Sequence, residues 1–198
     1  MRFASALLLS VLLAPFTARA QSPDSVALAP AYWRQLAYGA ATSILLHETA
    51  HVLTSVAVGG RPTFGFDRLR PTIYSGITLT TEPHKQFWFS ASGLLSQSLL
   101  DEGILDVPHS RGSAFERGLL GGGIGTTLFY LTIGRRGSVS DVEYMARTRV
   151  LTATQVTLLF GAVAGSHILR ISRDGHYANF FARPRDGAFD VGLGLGGF

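Results

Sequence analysis

Four stretches of the chain are dominated by apolar residues and are separated by polar segments that carry Pro and Gly. They cover residues 35–58, 88–107, 118–134 and 150–169. The third and fourth contain no Asp, Glu, Lys or Arg. A helix that crosses a bilayer needs about 20 mostly apolar residues. The first and fourth stretches meet that length, and the third reaches it if extended back to Phe115. The second is the weakest, because Asp101, Glu102 and Asp106 crowd its C-terminal half. The pattern predicts an all-α membrane protein of about four transmembrane helices. The competing reading keeps the same four helices as the buried core of a bundle. Tyr32 and Trp33 before the first stretch, and Phe87, Trp88 and Phe89 opening the second, sit where interfacial aromatic belts are expected.

The segments between the helices have their own signals. Residues 59–87 hold Gly59-Gly60, Pro62 and Pro71, which break helical periodicity. Residues 72–81 are rich in Ile, Tyr, Leu and Thr, which predicts a short β-like surface element between helices 1 and 2, lying against the membrane. At the N-terminus Arg2, an apolar run over 3–16 and Ala18-Arg19-Ala20 have the layout of a secretory signal peptide, so residues 1–20 are expected to be removed. That leaves a helical membrane domain over 21–173 and a Gly-rich polar tail over 174–198, where Phe189, Val191, Leu193 and Leu195 alternate as in a strand. Arg-bearing loops 59–87 and 135–149 would face inward. Gly118/Gly122, Gly121/Gly125 and Gly161/Gly165 are each four apart, a spacing that lets helix backbones approach closely.

Composition narrows the function classes. Of 198 residues only 15% are charged, against about 25% in an average soluble domain, and the formal net charge is +4. There is no Cys, which excludes disulfides, Cys-ligated zinc and iron–sulfur clusters. Lys85 is the sole Lys and the Arg residues are scattered, so no nucleic-acid partner is expected. Gly121-Gly122-Gly123 is not followed by Lys-Ser/Thr, so no phosphate loop is present.

The chemistry rests on His47-Glu48-Thr49-Ala50-His51. On a helix His47 and His51 lie one turn apart on one face, so both imidazoles can reach a single ion, and Glu48 beside them can serve as a base. Two nitrogen ligands and an open position suit catalytic zinc. Inside an apolar helix such ionisable groups are costly unless they are used. A third metal ligand is needed; Asp101 is expected to supply it, with Gln97 one turn earlier on the same face, and Glu102 is the next choice. Asp106 reads as a capping or solvated acid, His84 and His109 as loop residues and His176 as a solvated tail residue. His167, inside the fourth stretch, is a ligand or a buried polar contact.

This motif in the first helix, followed by Gly59-Gly60-Arg61 and a strand-like loop, resembles the site-2 protease family of intramembrane zinc metalloproteases. The resemblance covers about residues 40–103. It implies zinc held by the two histidines and a distant Asp, with Glu48 as the catalytic base. Leu100-Asp101-Glu102-Gly103 is the nearest match to the family's Leu-Asp-Gly motif and has one residue more before the glycine. Ala50 replaces the family's usual Gly, and the Asn and Pro that typically precede Leu-Asp-Gly are missing from 93–99. The expectation is therefore zinc-dependent intramembrane peptide-bond hydrolysis in a bacterial cell envelope, the inner membrane before the outer. Its partners would be the lipid bilayer and a membrane protein or peptide substrate, with room for a homo-oligomer. The alternatives are a non-catalytic membrane scaffold or binding protein with a vestigial site, and an exported zinc hydrolase that is soluble or peripheral.

Overall fold

The computed structural model describes residues 30–67, 70–137, 139–185 and 188–195. The expected signal peptide, residues 1–20, lies outside them. The element order is α1 (Pro30–Ala57), β1 (Thr63–Asp67), β2 (Arg70–Tyr74), α2 (Pro83–Asp106) and α3 (Ala114–Leu131). A single 3-10 turn (Gly134–Arg136) then leads to α4 (Asp141–Arg147), α5 (Ala153–Arg173), β3 (Ala178–Arg185) and β4 (Ala188–Leu195). Each of the four apolar stretches is largely helical. The strands form two separate antiparallel hairpins, β1–β2 and β3–β4. In the first, Thr63 pairs with Tyr74 and Asp67 with Arg70, so the strands begin earlier than the 72–81 run suggests.

Local chemistry sets the helix ends. Pro83 sits in the first turn of α2, where its missing N–H costs nothing. Ser113 caps α3 by accepting from Glu116 N at 3.1 Å. Thr152 and Gln155 form a reciprocal capping box at α5. α1 packs most extensively on α3 and next on α2. Its contact with α3 is backbone against backbone: a Cβ at Gly39 would lie 1.9 Å from Phe115 O, and one at Gly118 would lie 2.1 Å from Leu36 O. Gly122 meets Ala40 and Ser43 in the same way, whereas Gly121, Gly125 and Gly165 have open space where a Cβ would project. Only the first of the three glycine pairs thus serves close packing between helices. The main apolar core joins Ala91 and Leu94 of α2, Leu131 of α3, Val142 and Met145 of α4, and Val156 and Phe160 of α5.

The membrane reading is corrected here. Among the described residues no helix is long and apolar enough to cross a membrane. α1 has the length, about 42 Å at 1.5 Å per residue, but its buried face is Gly39, Ser43, His47, His51 and Ser55. Polar groups spaced every fourth residue lower its hydropathy below what a span requires. α3 has only 18 residues and includes Glu116 and Arg117. The four-helix membrane fold therefore falls. With it go the bilayer and membrane-protein partners, the inner-membrane location, intramembrane hydrolysis and the membrane-scaffold alternative. Of the expected belt aromatics, Phe89 is instead buried with its ring 4.8 Å from that of His51, while Trp33 and Trp88 are exposed.

Candidate metal centre

The polar stripe of α1 faces α2, and the two helices together build the site. His47 and His51 are 1% and 4% exposed, and their Nε2 atoms lie 3.1 Å apart. A third group meets them from α4. Asp141 Oδ2 is 3.1 Å from His47 Nε2 and 3.4 Å from His51 Nε2. The three donor atoms thus form a nearly equilateral triangle. In a tetrahedral zinc site with ligands at about 2.0–2.1 Å, neighbouring donors are about 3.3 Å apart, so the spacing is that of a metal-ligand set. Among the described residues this is the one group of His and acidic side chains able to hold a metal ion. It can chelate a divalent metal such as zinc.

The outer contacts fix which nitrogen faces the centre. His51 Nδ1 is 2.7 Å from Phe89 O. A carbonyl oxygen only accepts, so Nδ1 carries the proton and Nε2 presents a lone pair. His47 Nδ1 is 3.0 Å from Gln97 Oε1. The orientation of that amide is set in turn, because Gln97 Nε2 donates to Ser43 O at 3.3 Å and to Ser43 Oγ at 3.0 Å. Both imidazoles are therefore held in the tautomer that ligates through Nε2, as the outer contacts of metal-binding histidines commonly arrange. Two such lone pairs and a carboxylate oxygen converging within 3.4 Å repel one another unless a metal ion, or a proton on one Nε2 shared by hydrogen bonds, lies among them. Burial would lower the His51 pKa, but the Asp141 carboxylate reverses this and raises it. Burial also raises Asp141, and the two imidazoles overcome that and hold its carboxyl far below the usual range.

α2 approaches this centre through Gly93. A Cβ there would stand 2.5 Å from His47 Nε2 and 2.6 Å from His51 Nε2, so only glycine lets the helix backbone form the floor of the site. Tyr130 of α3 stacks on His47, with ring centroids 5.6 Å apart and planes within 5°. Two openings flank the ligands. Asp141 lines a cavity of about 240 Å³ with Tyr74, Ser75, Gly76 and Ser90. His47 and the half-buried Glu48 line a second, about 370 Å³, between α1 and α3.

The expected third ligand, Asp101, points elsewhere. It is buried two turns beyond Gly93, and its Oδ2 lies 3.6 Å from His167 Nδ1. The other nitrogen, His167 Nε2, pairs with Glu102 at 2.9 Å, and Glu102 in turn pairs with Arg170, which also holds Asp106. His167 is thus a buried polar contact and Asp106 a surface ion-pair member. His109 approaches Glu116 at 3.2 Å, and His176 approaches Asp174 at 2.8 Å. Asp141 has no counterpart in the sequence reading. A signal was available: Ser140-Asp141-Val142-Glu143 has the Ser-x-x-Glu pattern of a helix start. Val142 and Met145 add apolar positions on one face.

Asp101 supplies a stability prediction. One of its carboxylate oxygens is buried without a hydrogen-bond partner. Burial, reinforced by the charge of Glu102, pushes its pKa up to about 8. The unfolded carboxyl loses its proton near pH 4, so between about pH 4 and pH 8 the folded chain holds a proton that the unfolded chain has released. This part of the stability is complete below pH 4 and declines as pH rises through the folded pKa, with a limiting slope of about 1.4 kcal/mol per pH unit. Asp101→Asn keeps the shape of the protonated acid, so it is expected to flatten this slope and to stabilise the chain at pH 8. Urea melts of both proteins at pH 5 and pH 8 check it; parallel pH dependence in the two would show that Asp101 is not the group responsible.

No protein-family model matches the chain, and neither a curated protein nor a solved structure matches it. The likeness to the site-2 protease family is corrected accordingly. No family match supports it, and the intramembrane setting it implied has no membrane-crossing helix among the described residues.

Proposed function

We propose that the chain is a zinc-dependent hydrolase of peptide bonds, with His47, His51 and Asp141 as metal ligands and Glu48 as the catalytic base. The observation that carries this reading is the donor triangle with its lone pairs turned inward. Three protein ligands are the complement of a catalytic zinc, which keeps a position open, whereas structural sites use four. When bound, the ion supplies Lewis acidity, polarising a carbonyl and making water an adequate nucleophile near neutral pH. Glu48 follows His47 on the same helix and shares its cleft. There the carboxylate takes a proton from the attacking water. It then delivers that proton to the departing amine nitrogen as the C–N bond breaks, so the peptide and one water become a carboxylic acid and an amine. Gln97 and the Phe89 carbonyl keep both imidazoles oriented throughout.

The test is the zinc-loaded chain and its Glu48→Gln variant, assayed on a mixture of fluorogenic peptides. The variant is expected to bind zinc like the parent and to hydrolyse about 10²- to 10⁴-fold more slowly, the usual contribution of a positioned base. Equal turnover by the two proteins, or none by either with zinc bound, overturns the hydrolase reading and leaves a metal-binding site alone.

A further inference from the structure

The cleft beside Glu48 has a shape that the fold itself does not demand. α1 and α3 touch backbone to backbone at Gly39/Gly118, and a Cβ at Gly122 would lie 3.0 Å from Ala40 O. One turn further along α3 the glycine no longer meets α1. A Cβ at Gly125 would meet nothing within 4 Å, although Gly125 lines the same cleft as His47 and Glu48. Gly121 is likewise open, but it does not line this cleft. Gly118 and Gly122 are small because α1 presses on them, and Gly123 because Asp101 lies 2.7 Å from where its Cβ would be. No such neighbour explains Gly125. A helix-interior glycine is also unfavourable relative to alanine, so Gly125 serves neither close helix packing nor helix formation. Around it, Glu48 and Thr126 apart, the walls are apolar: Ile44 is 50% exposed and Phe129 41%, and the Tyr130 ring completes the side next to His47.

We infer that this cleft is a specificity pocket that takes a branched or aromatic side chain of the substrate, and that Gly125 is the residue that keeps it open. The inference rests on the hydrolase reading, since the occupant is the residue adjoining the bond to be cleaved. About 370 Å³ lined by Ile44, Phe129 and Tyr130 suits a leucine- or phenylalanine-sized group. Burying such a side chain against apolar walls favours binding, whereas a small residue gains less and an acidic one meets the Glu48 carboxylate. Gly125 acts on selectivity and touches neither the metal ligands nor the base.

The probes are hydroxamates, which chelate a metal without being cleaved. Acetohydroxamate reads the metal centre alone, and N-acyl leucine and phenylalanine hydroxamates read the centre and the pocket together. On the zinc-loaded parent chain the leucine and phenylalanine compounds are expected to bind roughly tenfold or more tighter than acetohydroxamate. Gly125→Leu is expected to melt at or above the parent temperature and to abolish that preference, with acetohydroxamate affinity unchanged. Gly125→Ala, the smaller change, is expected to weaken the preference for phenylalanine before that for leucine, and it carries the test should Gly125→Leu fold poorly. If the preference survives in both variants, or is absent from the parent while acetohydroxamate binds, the pocket assignment is overturned and the hydrolase reading stands. If the parent binds neither zinc nor acetohydroxamate, both fall.

Discussion

Asp141→Asn is expected to strip the chain of zinc, and Asp101→Asn to leave zinc binding intact. Asp141 Oδ2 completes the triangle with the two imidazole Nε2 atoms, at 3.1 and 3.4 Å, and the neutral amide of Asn offers a weaker donor with no charge to balance the cation. Removing an outer-shell partner of a metal ligand costs about 10- to 100-fold in affinity, so loss of a ligand itself should cost more than roughly 100-fold. His51→Ala is expected to behave like Asp141→Asn. Asp101 faces His167 across the bundle instead, so its replacement should change zinc affinity little. Metal content after dialysis against a competing chelator, read by elemental analysis, decides between the two carboxylates. Zinc retained by Asp141→Asn and lost from Asp101→Asn would return the third ligand to α2, where the sequence alone puts it.

Gly93→Ala carries the second large effect, and its sign is diagnostic. In an unconstrained helix interior the change stabilises by about 0.5–1 kcal/mol. Here the added methyl would stand 2.5 Å from His47 Cε1 and Nε2 and 2.6 Å from His51 Nε2. The rings cannot swing aside freely. Each is tied by its Nδ1 proton, His47 to Gln97 and His51 to the Phe89 carbonyl, and both tethers belong to α2, the helix that carries Gly93. The methyl must therefore push α2 away from α1 or break one tether. Overpacking of this kind costs typically about 1–3 kcal/mol, and the displaced Nε2 atoms no longer converge. Urea denaturation is expected to show the loss of stability, and a zinc titration a large fall in affinity. A Gly93→Ala chain that is more stable than the parent and binds zinc equally well would mean that α2 does not form the floor of the site.

Much of the helical architecture was readable from the chain because each helix is marked by a long apolar run with polar punctuation. Thr152 and Gln155 at the start of α5 and Pro83 at the start of α2 are local signals, and they act where the sequence puts them. The error over membrane spans has an equally local cause. In α1 the apolar side chains Leu45, Leu53 and Val56 are exposed, and the stripe Ser43, His47, His51, Ser55 is buried. Counting apolar residues along such a helix registers its outer face and says nothing of which face turns inward. The short α4 escaped notice because seven residues with three acidic or basic groups among them carry too little periodicity to stand out.

The sequence by itself determined the first half of the candidate metal centre. His47, Glu48 and His51 share one helix, and the 3.6-residue repeat puts the two imidazoles on one face before any other part of the chain is placed. The second half needed the tertiary structure, because the completing carboxylate lies 94 positions from His47 in sequence and no periodicity links α1 to α4. Asp101 and Asp141 are equivalent as residue types. What separates them is how α2 lies on α1: Gly93 and Gln97 occupy the level of the histidines, Asp101 is carried a turn past Gln97 to His167, and the N-terminus of α4 fills the remaining side of the triangle.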